Sequence, residues 1–321
     1  MITILTDPIP TGRLLIPQLC REAARGVRNI LRPPKFNFGA YRGHYAVTRS
    51  LVEGLKKAGL RHNYNPRSLR QLADVVVVLA DIRTLKQAIE LKRKGYIRKI
   101  YAGPNIVVFS SDADSILASP EVDAVITPCS WVIDLYVEDN PTLEGRCFPW
   151  PAGVDIDYWK PAANQERKQI LIFDKQNKGP VGPIEPYADY LRGRGYPVQI
   201  LQYGNFTHDE YLHALQHSRL MVGFVTDESQ GIAWAEAWAT DVPTLIWRNG
   251  TGYYRGRNYA CSTAPYLCDS NGLFFDNLDD FSKQFTRWEE SASCFTPRDW
   301  TISNMSDEAC ARDLYKKVFE C

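Results

Sequence analysis

No apolar run in this chain approaches the roughly 20 residues that a membrane-spanning helix needs, so no stretch of it reads as a transmembrane segment. Its eight cysteines stand at 20, 129, 147, 261, 268, 294, 310 and 321 without a C-x-x-C pair. In a chain of this length that spacing points to free thiols in a reducing compartment rather than to a disulfide framework. The opening Met1-Ile-Thr-Ile-Leu-Thr-Asp7 is too short, and too acidic at its end, for a signal peptide. It reads as a first buried strand, and the expected location is cytoplasmic. No internal repeat is visible. No His-Glu-x-x-His motif occurs: His213 and His217 have the helical i, i+4 spacing, but no glutamate follows His213 and no third ligand is evident. Asp112-Ala-Asp114 fits the bare Asp-x-Asp pattern that can hold a divalent ion, yet its place in the N-terminal half makes it a loop or helix cap. No aromatic-interleaved basic groove is present, so nucleic acid is not an expected partner.

What is present is the composition of a globular protein, 45% hydrophobic and 23% charged over 321 residues, enough for two ordinary domains. The formal charge is +1, but it is unevenly spread. Residues 1–153 carry 21 Lys and Arg against 14 Asp and Glu, a balance of +7; residues 154–321 carry 17 against 23, a balance of −6. The basic excess gathers in two stretches, Arg13 to Lys35 and Arg83 to Lys99. Both read as amphipathic helices with solvated outer faces. The alternative reading is peripheral contact with an anionic surface, either membrane head groups or an acidic glycan.

Short apolar runs alternate with helical stretches, the pattern of parallel sheets flanked by helices. Strands are expected at 2–6, 74–80, 105–110 and 123–127, then at 169–173, 198–202, 220–225, 244–247 and 272–275. Their near-continuous Val and Ile content in the first half fits strands buried on both faces. Helices are expected at 45–58, 84–94 and 131–137, then at 186–194, 209–217, 232–240 and 278–290. Thr207 and Glu210 make a capping box for the helix at 209–217. The Pro- and Gly-punctuated stretch Pro149 to Pro161 separates two doubly wound halves.

The most informative segment is Glu228-Ser-Gln-Gly-Ile-Ala-Trp-Ala-Glu236. An apolar run, Arg219 to Thr226, precedes it, and a second, entered through Asp241-Val-Pro243, follows it. The order is strand, turn, helix, strand. Gly231 lets backbone approach a ligand closely, and the helix that starts there aims its unpaired N–H groups at whatever lies above the strand, as a diphosphate site requires. One carboxylate lies before the helix and the other within it.

This segment resembles the Glu-x7-Glu motif of retaining glycosyltransferases of the GT-B fold, especially glycosyltransferase family 4. Gly153-Val-Asp155 with Trp159 and Pro161 looks like that family's crossover between domains, and Pro297-Arg-Asp-Trp300 with the helix at 307–319 looks like its closing helix. The resemblance runs through most of residues 120–320. It implies two facing Rossmann-like domains: residues 1–151, joined by a returning helix at 303–321, on the acceptor side, and residues 152–302 on the donor side. It also implies metal-independent, retaining transfer from a nucleotide-diphospho-sugar to an acceptor hydroxyl, with no cofactor. Glu228 would contact the donor sugar, the amides near Gln230, Gly231 and Ile232 would hold sugar and phosphate, and Glu236 would bind the ribose. Lys175 and Lys178, in the loop after the first strand of the second half, would neutralise the diphosphate; the family's usual Arg is absent here. Gly39, Arg42 and Gly43 look like its phosphate-facing glycine loop, without the adjacent Gly-Gly pair. The donor-contacting histidine expected after the strand at 74–80 is also missing, which leaves Asp81, Asp112, Asp114, Ser110 and Ser111 as acceptor-side candidates. A non-catalytic nucleotide-sugar-binding protein and a nucleotide-sugar epimerase are the alternatives. The nucleotide base, the sugar and the acceptor are open at this point.

Overall fold

Val75-Val-Val-Val-Leu-Ala80 contains no polar side chain, so a strand there can pack on both faces. In the computed structural model, which describes residues 1–10, 44–176 and 182–320, it does so: Val76 to Leu79 are fully buried. The chain divides into two compact units, Met1–Trp150 with Ala311–Cys321, and Pro151–Cys310.

The first unit contains β1 (Ile2–Leu5), α1 (His44–Lys57), β2 (His62–Tyr64), β3 (Val75–Ala80), α2 (Ile82–Arg93), β4 (Lys99–Asn105), β5 (Ala124–Thr127), α3 (Ser130–Asp139) and β6 (Cys147–Pro149). Its six strands form one sheet in the order β2-β1-β3-β4-β5-β6, parallel at every pairing. The strand expected at 105–110 is instead β4, six residues earlier. Gly103-Pro104 looks like a strand breaker in sequence, but it closes a strand here. A Cβ on Gly103 would lie 2.0 Å from the Ile126 carbonyl oxygen, so only glycine permits this approach to β5. Asp112 and its neighbours form a single turn in which Ala113, Asp114 and Ser115 all have positive φ.

The basic stretch at 83–99 is partly neutralised. Arg83 pairs with Asp81, Lys92 with Asp123, and Arg93 with Glu90 and Glu121. The other basic stretch, Arg13 to Lys35, lies outside the described residues.

The second unit contains β7 (Gln169–Lys175), α4 (Glu185–Gly193), β8 (Val198–Gln202), α5 (His208–His217), β9 (Ser218–Val225), α6 (Ile232–Ala239), β10 (Thr244–Trp247), β11 (Thr251–Tyr254), β12 (Arg257–Ala260), β13 (Gly272–Phe275), α7 (Leu278–Ser291) and α8 (Pro297–Asn304). Five parallel strands run in the order β13-β10-β9-β7-β8, while β11 and β12 form a separate antiparallel hairpin. One sheet face packs Ile172, Val222, Phe224 and Phe275 against Phe281, Phe285 and Trp288 of α7. On α6, Trp234 meets Phe173 edge-on, with centroids 5.5 Å apart. Gly223 makes room for it: a Cβ there would lie 2.7 Å from the Trp234 ring. The capping box at α5 is formed, with Thr207 and Glu210 each bonded to the other's backbone. The last helix, α9 (Asp307–Glu320), starts in the second unit, and its residues from Ala311 belong to the first. There the Tyr101 hydroxyl donates to the Val318 carbonyl at 2.9 Å.

Among the described residues no helix is long and apolar enough to cross a membrane.

Candidate functional site

Strand order locates the place where a ligand fits. In the second unit the chain moves outward from β7 to β8 on one side, then returns to β9, β10 and β13 on the other. The connections after β7 and β9 therefore diverge, which makes the carboxyl ends of these two strands the topological switch point, where ligands bind open α/β sheets.

Two chemistry-bearing residues meet at that point. Lys175 is the last residue of β7 and pairs in register with Val225, the last of β9. Glu228 lies three residues further on, and Lys175 Nζ is 2.6 Å from its Oε2. Both side chains are mostly buried, 22% and 12% exposed. The other carboxylate oxygen, Oε1, accepts from the amides of Ser229, Gln230 and Gly231, each at 3.1 Å. Burial favours the neutral form of each group, but the opposite charge outweighs it. Lys175, together with the amides of Gly231 and Gln230, holds the Glu228 carboxyl below its ordinary value, and Glu228 holds the Lys175 amine above its own. Lys175 also lies 4.9 Å from the centre of the Tyr203 ring, a neighbour that the sequence did not single out.

Gly231 caps α6 with φ 68, a conformation that glycine adopts without strain. The amides before it are bonded to Glu228, and the first-turn N–H groups from Ile232 onward follow. Gln230 is 8% exposed; its oxygen accepts from the Ala152 amide at 2.9 Å, and its Nε2 has no partner among the described residues. The Thr226 hydroxyl is likewise buried without a partner. Unpaired polar atoms of this kind are costly unless a ligand or water meets them.

The structure thus brings Lys175, Glu228, Gln230, Gly231 and Ile232 together. Glu236 sits further along α6, 8% exposed. Burial raises the Tyr211 phenol with help from the Glu236 charge; burial and the bond to Asp209 raise that of Tyr158, with a smaller contribution from Glu236. Lys178, Gly39, Arg42 and Gly43 lie outside the described residues.

The acceptor-side candidates carry local roles. Asp81 caps α2 and pairs with Arg83. Ser110 donates to the Tyr136 carbonyl, the Ser111 amide to Asp139, and the Phe109 amide to Asp112. His213 and His217 stack at 4.1 Å, with the His217 Nδ1 at 2.7 Å from the His213 carbonyl oxygen.

No protein-family model matches the sequence, and no curated protein matches it. Solved structures do. A glycosyltransferase from Rickettsia africae ESF-5 superposes with TM-score 0.52 at 10% identity, over 99% of this chain and 98% of that one. The lipopolysaccharide outer core galactosyltransferase WaaB, in its apo form, gives TM-score 0.52 at 12% identity, over 99% of each chain. The fold is GT-B. The two parallel sheets are the Rossmann-like bodies of that GT-B fold, and at this identity the likeness establishes the fold alone.

Sequence reasoning missed the β11–β12 hairpin, which flanks the Glu228 loop. The Tyr259 hydroxyl bonds to Asp227, the Glu228 amide donates to the Ser262 carbonyl at 2.9 Å, and Asn249 Nδ2 donates to the Thr226 carbonyl at 2.6 Å. The signal was present as Tyr254-Arg-Gly-Arg257 between two short Tyr-bearing runs.

Proposed function

We propose that the protein is a retaining glycosyltransferase and that its second unit binds a nucleotide-diphospho-sugar, whose sugar it passes to an acceptor hydroxyl without a metal. The observation that carries this reading is the Lys175–Glu228 pair at the switch point, set against the N-terminus of α6. A diphosphate leaving group needs preorganised positive charge. Lys175 and the first-turn amides of α6 are groups of that kind in a mostly buried site, where they act strongly.

The state of Glu228 supports an orienting role. One of its oxygens faces three amides and the other faces Lys175. A carboxylate so stabilised is a weak base and a weak nucleophile, suited to accepting hydroxyls of the sugar. In the step that follows, the bond from C1 of the sugar to the diphosphate breaks while the acceptor oxygen bonds C1 from the same face. The acceptor proton passes to a donor phosphate oxygen, and Lys175 stabilises the departing anion. The unpaired Nε2 of Gln230 donates to a donor oxygen, and Glu236 accepts from the ribose diol.

Thermal unfolding with UDP, GDP, ADP and CDP tests the donor site. A ligand at about 100 times its Kd adds roughly 2.7 kcal/mol. The expected result is a shift confined to one base and lost in Lys175→Met. The matching nucleotide sugar then releases or transfers sugar with its anomeric configuration kept, as read by NMR. Absence of a shift with every nucleotide defeats the reading.

A second reading, binding without turnover, has one observation behind it: the position after β3 carries Asp81, engaged in capping α2, instead of a histidine. A nucleotide shift with neither transfer nor hydrolysis selects it.

A further inference from the structure

The β11–β12 hairpin is built unlike the unit that carries it. Residues 154–321 are acidic overall, yet Val242 to Cys268 contain no Asp or Glu, three arginines (248, 255, 257) and four tyrosines (253, 254, 259, 266). Arg248 lies at the base of the hairpin, 3.6 Å from Asp276, and Arg255 and Arg257 are exposed at its tip.

The register fixes which way the side chains point. Gly252 pairs with Tyr259, and Tyr254 with Arg257. Successive strand residues alternate between faces, so Tyr259, Tyr254 and Arg257 share one face. Tyr259 lies over Gly252, where a Cβ would meet its ring at 2.3 Å, and its hydroxyl reaches Asp227, the neighbour of Glu228. The same face therefore continues from the Asp227–Glu228 loop outward to Tyr254 and Arg257. On the other face Tyr253 is 64% exposed. Arg255 has φ 48 and Gly256 φ 80, so a two-residue turn places a long cation where Asn, Asp or Gly is preferred. The Arg255 guanidinium lies 5.1 Å from the centre of the Tyr254 ring.

We propose that this hairpin binds an anionic carbohydrate. Arg255 and Arg257 meet its carboxylate or phosphate groups, which a guanidinium fork recognises, and Tyr254, on the same face as Arg257, packs on a sugar ring. Its anchorage to the Asp227–Glu228 loop makes the bound sugar the acceptor of the reaction. That last assignment rests on the transferase reading above; the binding does not.

The test is calorimetry with trigalacturonate, glucose 6-phosphate, maltotriose and a thymidine oligonucleotide at low salt. Wild type is compared with Arg255→Ala/Arg257→Ala and with Arg248→Ala, all checked for unchanged unfolding temperature. The expected result is binding of trigalacturonate, glucose 6-phosphate or both, weakened at least tenfold in the tip double variant and unmoved in Arg248→Ala. Which of the two binds tells a carboxylate from a phosphate ligand. Equal binding of maltotriose, tighter binding of the oligonucleotide, full affinity in the tip variant, or no binding to either anionic sugar overturns the proposal. The tip variant keeps any nucleotide-dependent thermal shift, because Lys175 and Glu228 are untouched. Anionic-sugar binding without any nucleotide shift leaves the hairpin site standing and removes the transferase reading.

Discussion

Lys175 Nζ and Glu228 Oε2 stand 2.6 Å apart across the ends of two adjacent parallel strands, joining residues 53 positions apart in the chain. Glu228→Gln leaves the lysine charge mostly buried beside a neutral amide. The expected loss is about 2 kcal/mol, below the roughly 3–5 kcal/mol of a fully buried pair. Lys175→Met with Glu228→Gln restores part of it. Denaturant unfolding of the three variants measures the coupling.

The same pair sets a pH window. A carboxyl held below its ordinary 4.5 adds stability above that value and loses it as pH falls through the folded-state pKa. An amine held above its ordinary 10.5 adds stability below that value and loses it as pH rises through its folded-state pKa. The stability gap between wild type and the double variant is therefore expected to be constant from about pH 5 to about pH 10. It narrows on acidification and again in strong alkali. A gap that widens below pH 4.5 contradicts the pairing.

Gly223→Ala places a methyl group 2.7 Å from both Ile246 Cδ1 and the Trp234 ring. Overpacking of this kind costs about 1–3 kcal/mol, and Trp234 leads directly back to Gly231. The urea midpoint is expected to fall, and near-ultraviolet circular dichroism to change with it.

Thr207→Ala removes the cap of α5, whose hydroxyl accepts from the Glu210 amide at 3.2 Å. A loss of about 1 kcal/mol is expected, with no change in nucleotide binding, since α5 contributes no residue to the Lys175–Glu228 cluster.

Burial pushes the Cys147 thiol up to about 11, against a smaller opposing pull from Arg146. Cys294 is exposed. Iodoacetamide at pH 8 is expected to label Cys294 well before Cys147, because the thiolate is the nucleophile. Mass spectrometry of timed digests reads the order, and early labelling of Cys147 refutes it.

The sequence by itself determined the five strands of the second unit's parallel sheet, because runs such as Leu220 to Val225 are apolar on both faces and Gly and Pro mark their ends. It placed the start of α6, because Gly231 precedes a run too apolar to be a surface helix. It marked the Thr207–Glu210 cap, a contact over three residues. It misplaced β4, since Gly103-Pro104 looks like a break until the neighbouring Ile126 backbone shows why glycine is there. Only the tertiary structure decided that Lys175 and Glu228 form a pair, because strand order, not chain distance, puts the ends of β7 and β9 side by side. Only it showed that Glu228 holds three amides of its own loop, and that Tyr259 ties the arginine-tipped hairpin to Asp227. Contacts of that kind depend on how strands are ordered and loops are closed, and a pattern of residue types along one chain does not carry that information.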